Sequence, residues 1–262
     1  MIKIIQTEFK KLKRFHILLI GLIGMAFPSV LAVFTQSVAT TGTNPYFDFQ
    51  ALFDSSIWNS VTIFMPIVFT LIGGYIINRE YTDDTLKNIF PIPISFKKLV
   101  GGKLLTMAIL SLLLGIYSFI VTVIIGKISG LEGLNTSIIS KNLFQFIGIT
   151  ICVYISVLPI MAFTSRKEGM YLGGVILSFI LGYSAMFIKS PLIRSIYPML
   201  SGFSVVGFDT STFMNTTEPT NVGLSFLTLV MCMVISVVII ARLNPQKKEH
   251  IEKEKKELFS RK

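Results

Sequence analysis

The sequence predicts an all-α membrane protein: six transmembrane helices, an N-terminal interfacial helix, a helical cytoplasmic segment between spans two and three, and short re-entrant or outer helices between spans five and six. Three observations carry that expectation. The chain has 262 residues, 52% of them hydrophobic and only 15% charged, where a soluble domain carries about 25% charged residues. Its charges are segregated, which leaves apolar runs of about twenty residues, enough to cross roughly 30 Å of hydrocarbon at about 1.5 Å per residue. Finally, Lys and Arg gather on one side of those runs. Backbone groups in lipid must be satisfied within their own segment, so runs this long and continuous read as helices and not as barrel strands.

The elements follow in order. Residues 1–14 read as an amphipathic cytoplasmic interfacial helix, with Ile5, Phe9, Leu12 and His16 at helical spacing and its lysines near anionic headgroups, the alternative being a disordered basic leader. Residues 15–241 hold the spans, about Phe15 to Phe34, Trp58 to Ile77, Leu104 to Ile125, Leu143 to Phe163, Tyr171 to Ile188 and Val222 to Ala241. The first run is too long for the apolar core of a signal peptide and reads as an uncleaved helix. Residues 242–262 form a basic cytoplasmic tail, in which Glu249/Lys253, Glu252/Lys256 and Glu257/Arg261 are spaced as i,i+4 helical ion pairs.

Orientation follows from the basic residues. Lys3, Lys10, Lys11, Lys13 and Arg14 precede span one; Arg79, Lys87, Lys97, Lys98 and Lys103 join spans two and three. Arg166 and Lys167 join spans four and five, and eight more follow span six. The other side holds only Lys127, Lys141, Lys189 and Arg194. The positive-inside rule places both termini in the cytoplasm. The formal charge of +10 therefore reflects topology, and no nucleic-acid partner is expected.

Outside, the first loop is read as polar and aromatic, with Tyr46, Phe47, Phe49 and Phe53. The stretch from Lys189 to Asn221 is too apolar for a solvated loop and too broken by Pro191, Arg194 and Pro198 for a span. Short helices packed on the outer ends of the spans, or a re-entrant hairpin, reconcile both facts.

Several chemistries lack their residues. Cys152 and Cys232 lie inside separate spans with no CxxC spacing, so they read as small buried apolar groups with no metal or disulfide role. Gly101-Gly102-Lys103 has neither the upstream glycine nor the Ser/Thr of a P-loop, and no HExxH or GxSxG occurs. The proposed spans contain no Asp, Glu, Lys or Arg in their interiors, where ion-coupled transporters usually hold one. Tyr75, Tyr117, Tyr154 and Asn59 are candidates to line a weakly polar cavity, with helix–helix hydrogen bonding the competing use. No catalytic residue, cofactor or metal ligand is assigned in this chain.

The segment 78–103, NREYTDDTLKNIFPIPISFKKLVGGK, is the best-formed polar surface. Glu80 closes span two. Asp83 and Asp84 suit the N-terminus of a short helix reaching to Phe90, whose Leu86, Ile89 and Phe90 share a side. Pro91 and Pro93 stop it, and Ser95 caps a second short helix that leads into span three; on its own the unit reads equally as an ordinary well-capped loop.

From Glu80 to Lys103 this segment resembles the link between spans two and three of ABC-2 type permeases, the membrane subunits of ATP-driven exporters. The family pattern has a Glu after span two, a Gly-Thr-Leu-like step, a Pro, a Ser with basic residues and a Lys opening span three. Asp84 stands where that step usually has Gly, while Thr85 and Leu86 match. Asp-Asp-Thr-Leu-Lys-Asn followed by Pro-Ile-Ser, and the opening TEFKKLKR at residues 7–14, are similar to permeases of bacitracin and lantibiotic self-protection (immunity) exporters.

The resemblance implies a multi-pass protein of the bacterial cell membrane that acts without an ATPase site of its own. ATP and Mg would be bound by a partner ABC ATPase subunit, present in two copies, and a second permease subunit would complete the transporter as a homodimer or with a related chain. Glu80, Asp83, Asp84, Thr85, Leu86, Ile89 and Phe90 would form the coupling helix that meets the ATPase. The implied activity is expulsion of an amphipathic peptide antibiotic, bacitracin- or lantibiotic-like, giving antibiotic resistance. The competing readings are a permease for a lipid or glycan-lipid, and a non-transporting membrane sensor or scaffold.

Overall fold

A computed structural model of the chain describes residues 2–12, 16–39, 47–82, 96–167, 169–216 and 218–242. The described residues are helical with no strand, and six helices are long and apolar enough to cross a membrane. These spans cover Ile17–Val38, Phe49–Glu80, Lys97–Ile128, Thr136–Thr164, Met170–Phe187 and Val222–Ala241. The helix expected over Asp83 to Phe90, the cap at Ser95 and the ion pairs of the tail lie outside the described residues.

A short helix α1 (Ile2–Leu12) leads to α2 (Ile17–Ala39), the first span. Span two is longer than its hydropathy suggests. It runs as α3 (Phe49–Asn59), a π-helical turn (Ser60–Phe64) and α4 (Met65–Thr82). The extension begins where the Asp48 side chain accepts a hydrogen bond from the Ala51 N–H at 2.9 Å, an N-cap that satisfies one orphan donor of the first turn. Phe49 and Phe53, read from the sequence as loop aromatics, are instead core residues at 2% and 0% exposure. Phe53 stacks on Phe119 at 5.5 Å and meets Phe146 edge-on at 6.3 Å, contacts worth roughly 0.5–1.5 kcal/mol per pair beyond their buried area.

Span three, α5 (Phe96–Ile128), is also continuous, so Phe96 to Leu99 open this helix and do not form a separate one. Next come α6 (Thr136–Thr164), whose Asn135 cap accepts from the Ile138 N–H at 2.8 Å, and α7 (Met170–Ser184), extended by a 3-10 turn to Phe187. The broken segment resolves into α8 (Pro191–Ile196), α9 (Pro198–Val206) and α10 (Ser211–Met214) before the last span, α11 (Val222–Ala241). Pro191 and Pro198 each occupy a first helical position, where the missing N–H costs nothing.

Span two is the hub, with 72% of its apolar window buried, against 22% for spans five and six. α4 packs on α7, α6 and α2, and α6 also carries α5, α9 and α11. Between apolar helices in lipid the attraction comes from close packing and interhelical hydrogen bonds. Both are present: Ser29 and Thr122 hydroxyls pair at 2.6 Å, Ser118 donates to the Met25 carbonyl at 2.8 Å, and Thr70 and Ser178 pair at 2.7 Å. Gly73 and Gly74 admit Met161 and Tyr171 of neighbouring helices. Gly182 gives the close approach to another backbone, since a Cβ there would sit 2.5 Å from the Thr62 carbonyl oxygen in the π-turn.

Candidate functional site

The segment 78–103 is described at its two flanks, Asn78–Thr82 and Phe96–Lys103, and both flanks are tied to other elements. Lys103, on the second turn of α5, is 2% exposed. Its ammonium donates to Glu80 Oε1 at 2.8 Å, to Glu8 Oε2 at 3.0 Å and to the Ile76 carbonyl at 2.9 Å. An ammonium has three N–H donors, and all three are matched here. Lys11 adds a second cation, 3.0 Å from Glu80 Oε1 and 3.4 Å from Glu8 Oε1. Glu8 and Glu80 are 4% and 5% exposed.

Among the described residues two ammonium groups thus meet two carboxylates. This balance makes the burial tolerable, because stranding one member of such a pair costs about 3–5 kcal/mol. Burial opposes charging of Lys11, but the hydrogen bond to Glu80 and the fields of Glu8 and Glu80 outweigh it and raise its pKa above the ordinary lysine value. Local sequence explains the placement. Glu8 lies three residues after Ile5 and four before Leu12, on the stripe of α1 that packs against α5. Glu80 ends span two at the same level, and Lys103 stands where α5 passes between them.

Two further ties hold the same flanks. The Asn78 side chain accepts from the Gly169 N–H at 2.6 Å, where Gly169, in a left-handed conformation at φ 71°, starts α7. The Lys97 ammonium donates to the carbonyl of Ala241 at the end of α11. The borders of one segment are therefore bonded to α1, to the start of span five and to the end of span six.

Of the residues singled out from the sequence, Glu80 lies at the centre of this cluster, and Asp83, Asp84, Thr85, Leu86, Ile89 and Phe90 fall outside the described residues. The four candidate cavity residues are placed separately. Tyr154 is buried and donates to the Leu104 carbonyl of α5 at 2.6 Å, and Asn59 faces the Pro28 carbonyl of α2 at 3.5 Å. Tyr75 and Tyr117 are half-buried against the core. For Tyr154 and Asn59 the bonds found are helix-to-helix ones. Glu8, Lys11 and Lys103 were not read as a site. The available signal was Glu8, the one acid among the basic residues of 1–14 and set on their apolar stripe.

Among the described residues no group of His, Cys, Asp and Glu is arranged to hold a metal ion, and the two cysteines are free and buried. The cluster's chemistry is mechanical: it joins three elements through charges that cannot be separated cheaply. Comparison with known proteins bears on what is joined. The bacitracin transport permease protein BCRB of Bacillus licheniformis is 26% identical to this chain over 145 residues, 55% of this chain and 69% of that protein. The family model described as ABC-2 family transporter protein matches residues 4–185, which include all four members of the cluster, the first four spans and all but the last two residues of the fifth. The chain belongs to the ABC-2 family of transporter proteins.

Proposed function

We propose that this chain is the permease subunit of an ABC exporter, driven by a separately encoded ATPase that docks on residues 80–90. Family membership makes it a multi-pass membrane component with an ABC ATPase as partner. The observation that most supports the docking site is the wiring of the segment's flanks. A push on residues 81–95 is delivered through Glu80, Lys103, Asn78 and Lys97 to α1 and to spans two, three, five and six together. Flanks free of such ties would let the segment move alone.

In this reading the end of the bundle that carries α1 faces the cytoplasm, as the basic residues imply. Two permease and two ATPase subunits assemble, and ATP-driven closure of the ATPases rocks the spans about the helix contacts of span two. The substrate is an amphipathic peptide antibiotic of the bacitracin class, a reading supported by the name of the relative and by the apolar character of the spans.

The test is replacement of Asp83, Asp84 and Leu86 together by Ala in cells carrying the ATPase. Membrane insertion and α1 contacts remain, while stimulated ATP hydrolysis and bacitracin resistance fall at least about tenfold, equivalent to about 1.4 kcal/mol of lost coupling. Undiminished resistance in that variant rejects the docking site. Lost hydrolysis coupling in a strain whose bacitracin susceptibility never depended on the chain rejects the substrate alone.

A further inference from the structure

At the end of the bundle opposite α1, Arg194 on the six-residue α8 is only 3% exposed. Its guanidinium donates to the Glu218 carbonyl and to Thr210 Oγ1 at 3.3 Å, with Met214 Sδ 3.8 Å from the same nitrogen as the threonine. All three are neutral acceptors. Its Nε–H has no acceptor, and among the described residues no carboxylate is in ion-pair contact with it. A guanidinium cannot shed its proton, so this is a buried positive charge without a direct counter-ion.

Arg194 borders a polar recess of about 290 Å³ that is also lined by Asp209, Thr210, Ser211, Thr216 and Glu218. The cation is on the buried side; Asp209 and Glu218 are exposed and form the mouth. The Ser211 backbone N–H donates to the Asp209 carboxylate at 2.8 Å and, together with the Ser211 side chain and the field of Lys141, holds it below the usual carboxylate range against the opposing effect of burial, hence ionised. An isolated dianion would satisfy Arg194 and be repelled at the mouth. A simple cation would suit the mouth and be repelled within. A small zwitterion, with an oxyanion a few bonds from an ammonium, matches both. The volume lies at the small end of ligand pockets, near 300 Å³, and suits a headgroup, not a folded peptide.

The helix that carries Arg194 indicates the source of the ligand. Leu192, Ile193 and Ile196, on the same short helix as Arg194, are 62%, 52% and 50% exposed. In the chain they lie between the end of span five and the start of span six, and exposed apolar side chains next to span ends suit acyl chains below their headgroups. We propose that this recess binds a zwitterionic phospholipid headgroup, its phosphate on Arg194 and its ammonium between Asp209 and Glu218.

The experiment uses the full chain in nanodiscs made with phosphatidylethanolamine or with phosphatidylglycerol, and in detergent with added O-phosphoethanolamine. Wild-type protein is expected to retain phosphatidylethanolamine through delipidation at least about tenfold better than phosphatidylglycerol, as fits a charge-assisted contact at each end of the headgroup. Arg194→Gln abolishes retention of both lipids. Asp209→Asn with Glu218→Gln, both exposed, removes the preference between them and leaves the fold intact. Equal retention of the two lipids by wild type, or an undiminished preference in the doubly neutralised mouth, overturns the proposal. That second arm decides the matter even if Arg194→Gln does not fold. Saturable binding of O-phosphoethanolamine without any lipid preference overturns the lipid as source and assigns the recess to a soluble zwitterion.

Discussion

The chain buries charge at both ends of its bundle, in opposite ways. At the α1 end Lys103 spends its three donors on Glu8, Glu80 and the Ile76 carbonyl, and Lys11 closes the group from its exposed side. At the other end Arg194 is as deeply buried, yet its bonds go to a carbonyl, a hydroxyl and a thioether. In the first arrangement each charge has its opposite among the described residues, and the members come from three elements. The second is incomplete and borders open space. Neutralised burial suits a joint that must transmit movement, and un-neutralised burial beside a recess suits a place that receives something. The family match, residues 4–185, contains the first region and stops short of the second.

The largest effect that sharpens this contrast is expected from Lys103→Met. It removes the buried cation from between two carboxylates, each at most 5% exposed, leaving them the half-exposed Lys11, and should cost about 3–5 kcal/mol of unfolding free energy. Adding Glu8→Gln and Glu80→Gln removes the two buried carboxylates, leaves Lys11, whose side chain is 41% exposed, to solvent, and should restore most of that loss, because neutral replacement of buried charges is often close to neutral. Denaturant titration of the purified chain measures both steps. A triple variant no better than Lys103→Met would show that packing of the lysine, and not charge balance, holds α1 in place.

Arg194→Met should cost less, about 1–3 kcal/mol, since it leaves neutral acceptors without a donor and strands no opposite charge. The same titration compares the two, and equal losses would erase the distinction between a paired and an unpaired end.

These two regions were not equally legible in the sequence. Apolar run length located all six spans, because hydropathy reports lipid contact directly. It placed the start of span two nine residues late, at Trp58 in place of Phe49, because Gln50, Asp54, Ser55 and Ser56 dilute the apolar signal of residues that face other helices. Trp58 itself serves as a platform, stacked on Phe213 at 4.8 Å and on Phe203 at 5.5 Å, and it fixes the broken segment to span two. That the segment was broken and packed could be read from Pro191, Pro198 and its apolar residues. The charge cluster could not, since Glu8, Glu80 and Lys103 are far apart in sequence and each looks like an ordinary span-flanking charge. Their meeting is a tertiary fact. Arg194 likewise entered the topology count as one outer basic residue, with nothing nearby to signal burial.

The smallest effect separates the core of the cluster from its edge. The Lys11 side chain is 41% exposed, against 2% for Lys103, so solvent screens its pairs and Lys11→Met should cost no more than about 1 kcal/mol. Its pKa is raised in the folded state, by Glu80 and Glu8 against the opposing effect of burial. A group of that kind binds its proton more tightly when folded, so its contribution is fully present below the unfolded value of 10.5 and is lost as pH rises through the higher folded value. The difference in stability between wild type and Lys11→Met should therefore be constant from pH 6 to pH 9, on the order of 1 kcal/mol or less, and shrink only above 10.5. Paired thermal scans across that range measure it. A difference that already decays near neutral pH would mean that Lys11 is not held by the two carboxylates, and that Lys103 alone joins α1 to the segment it flanks.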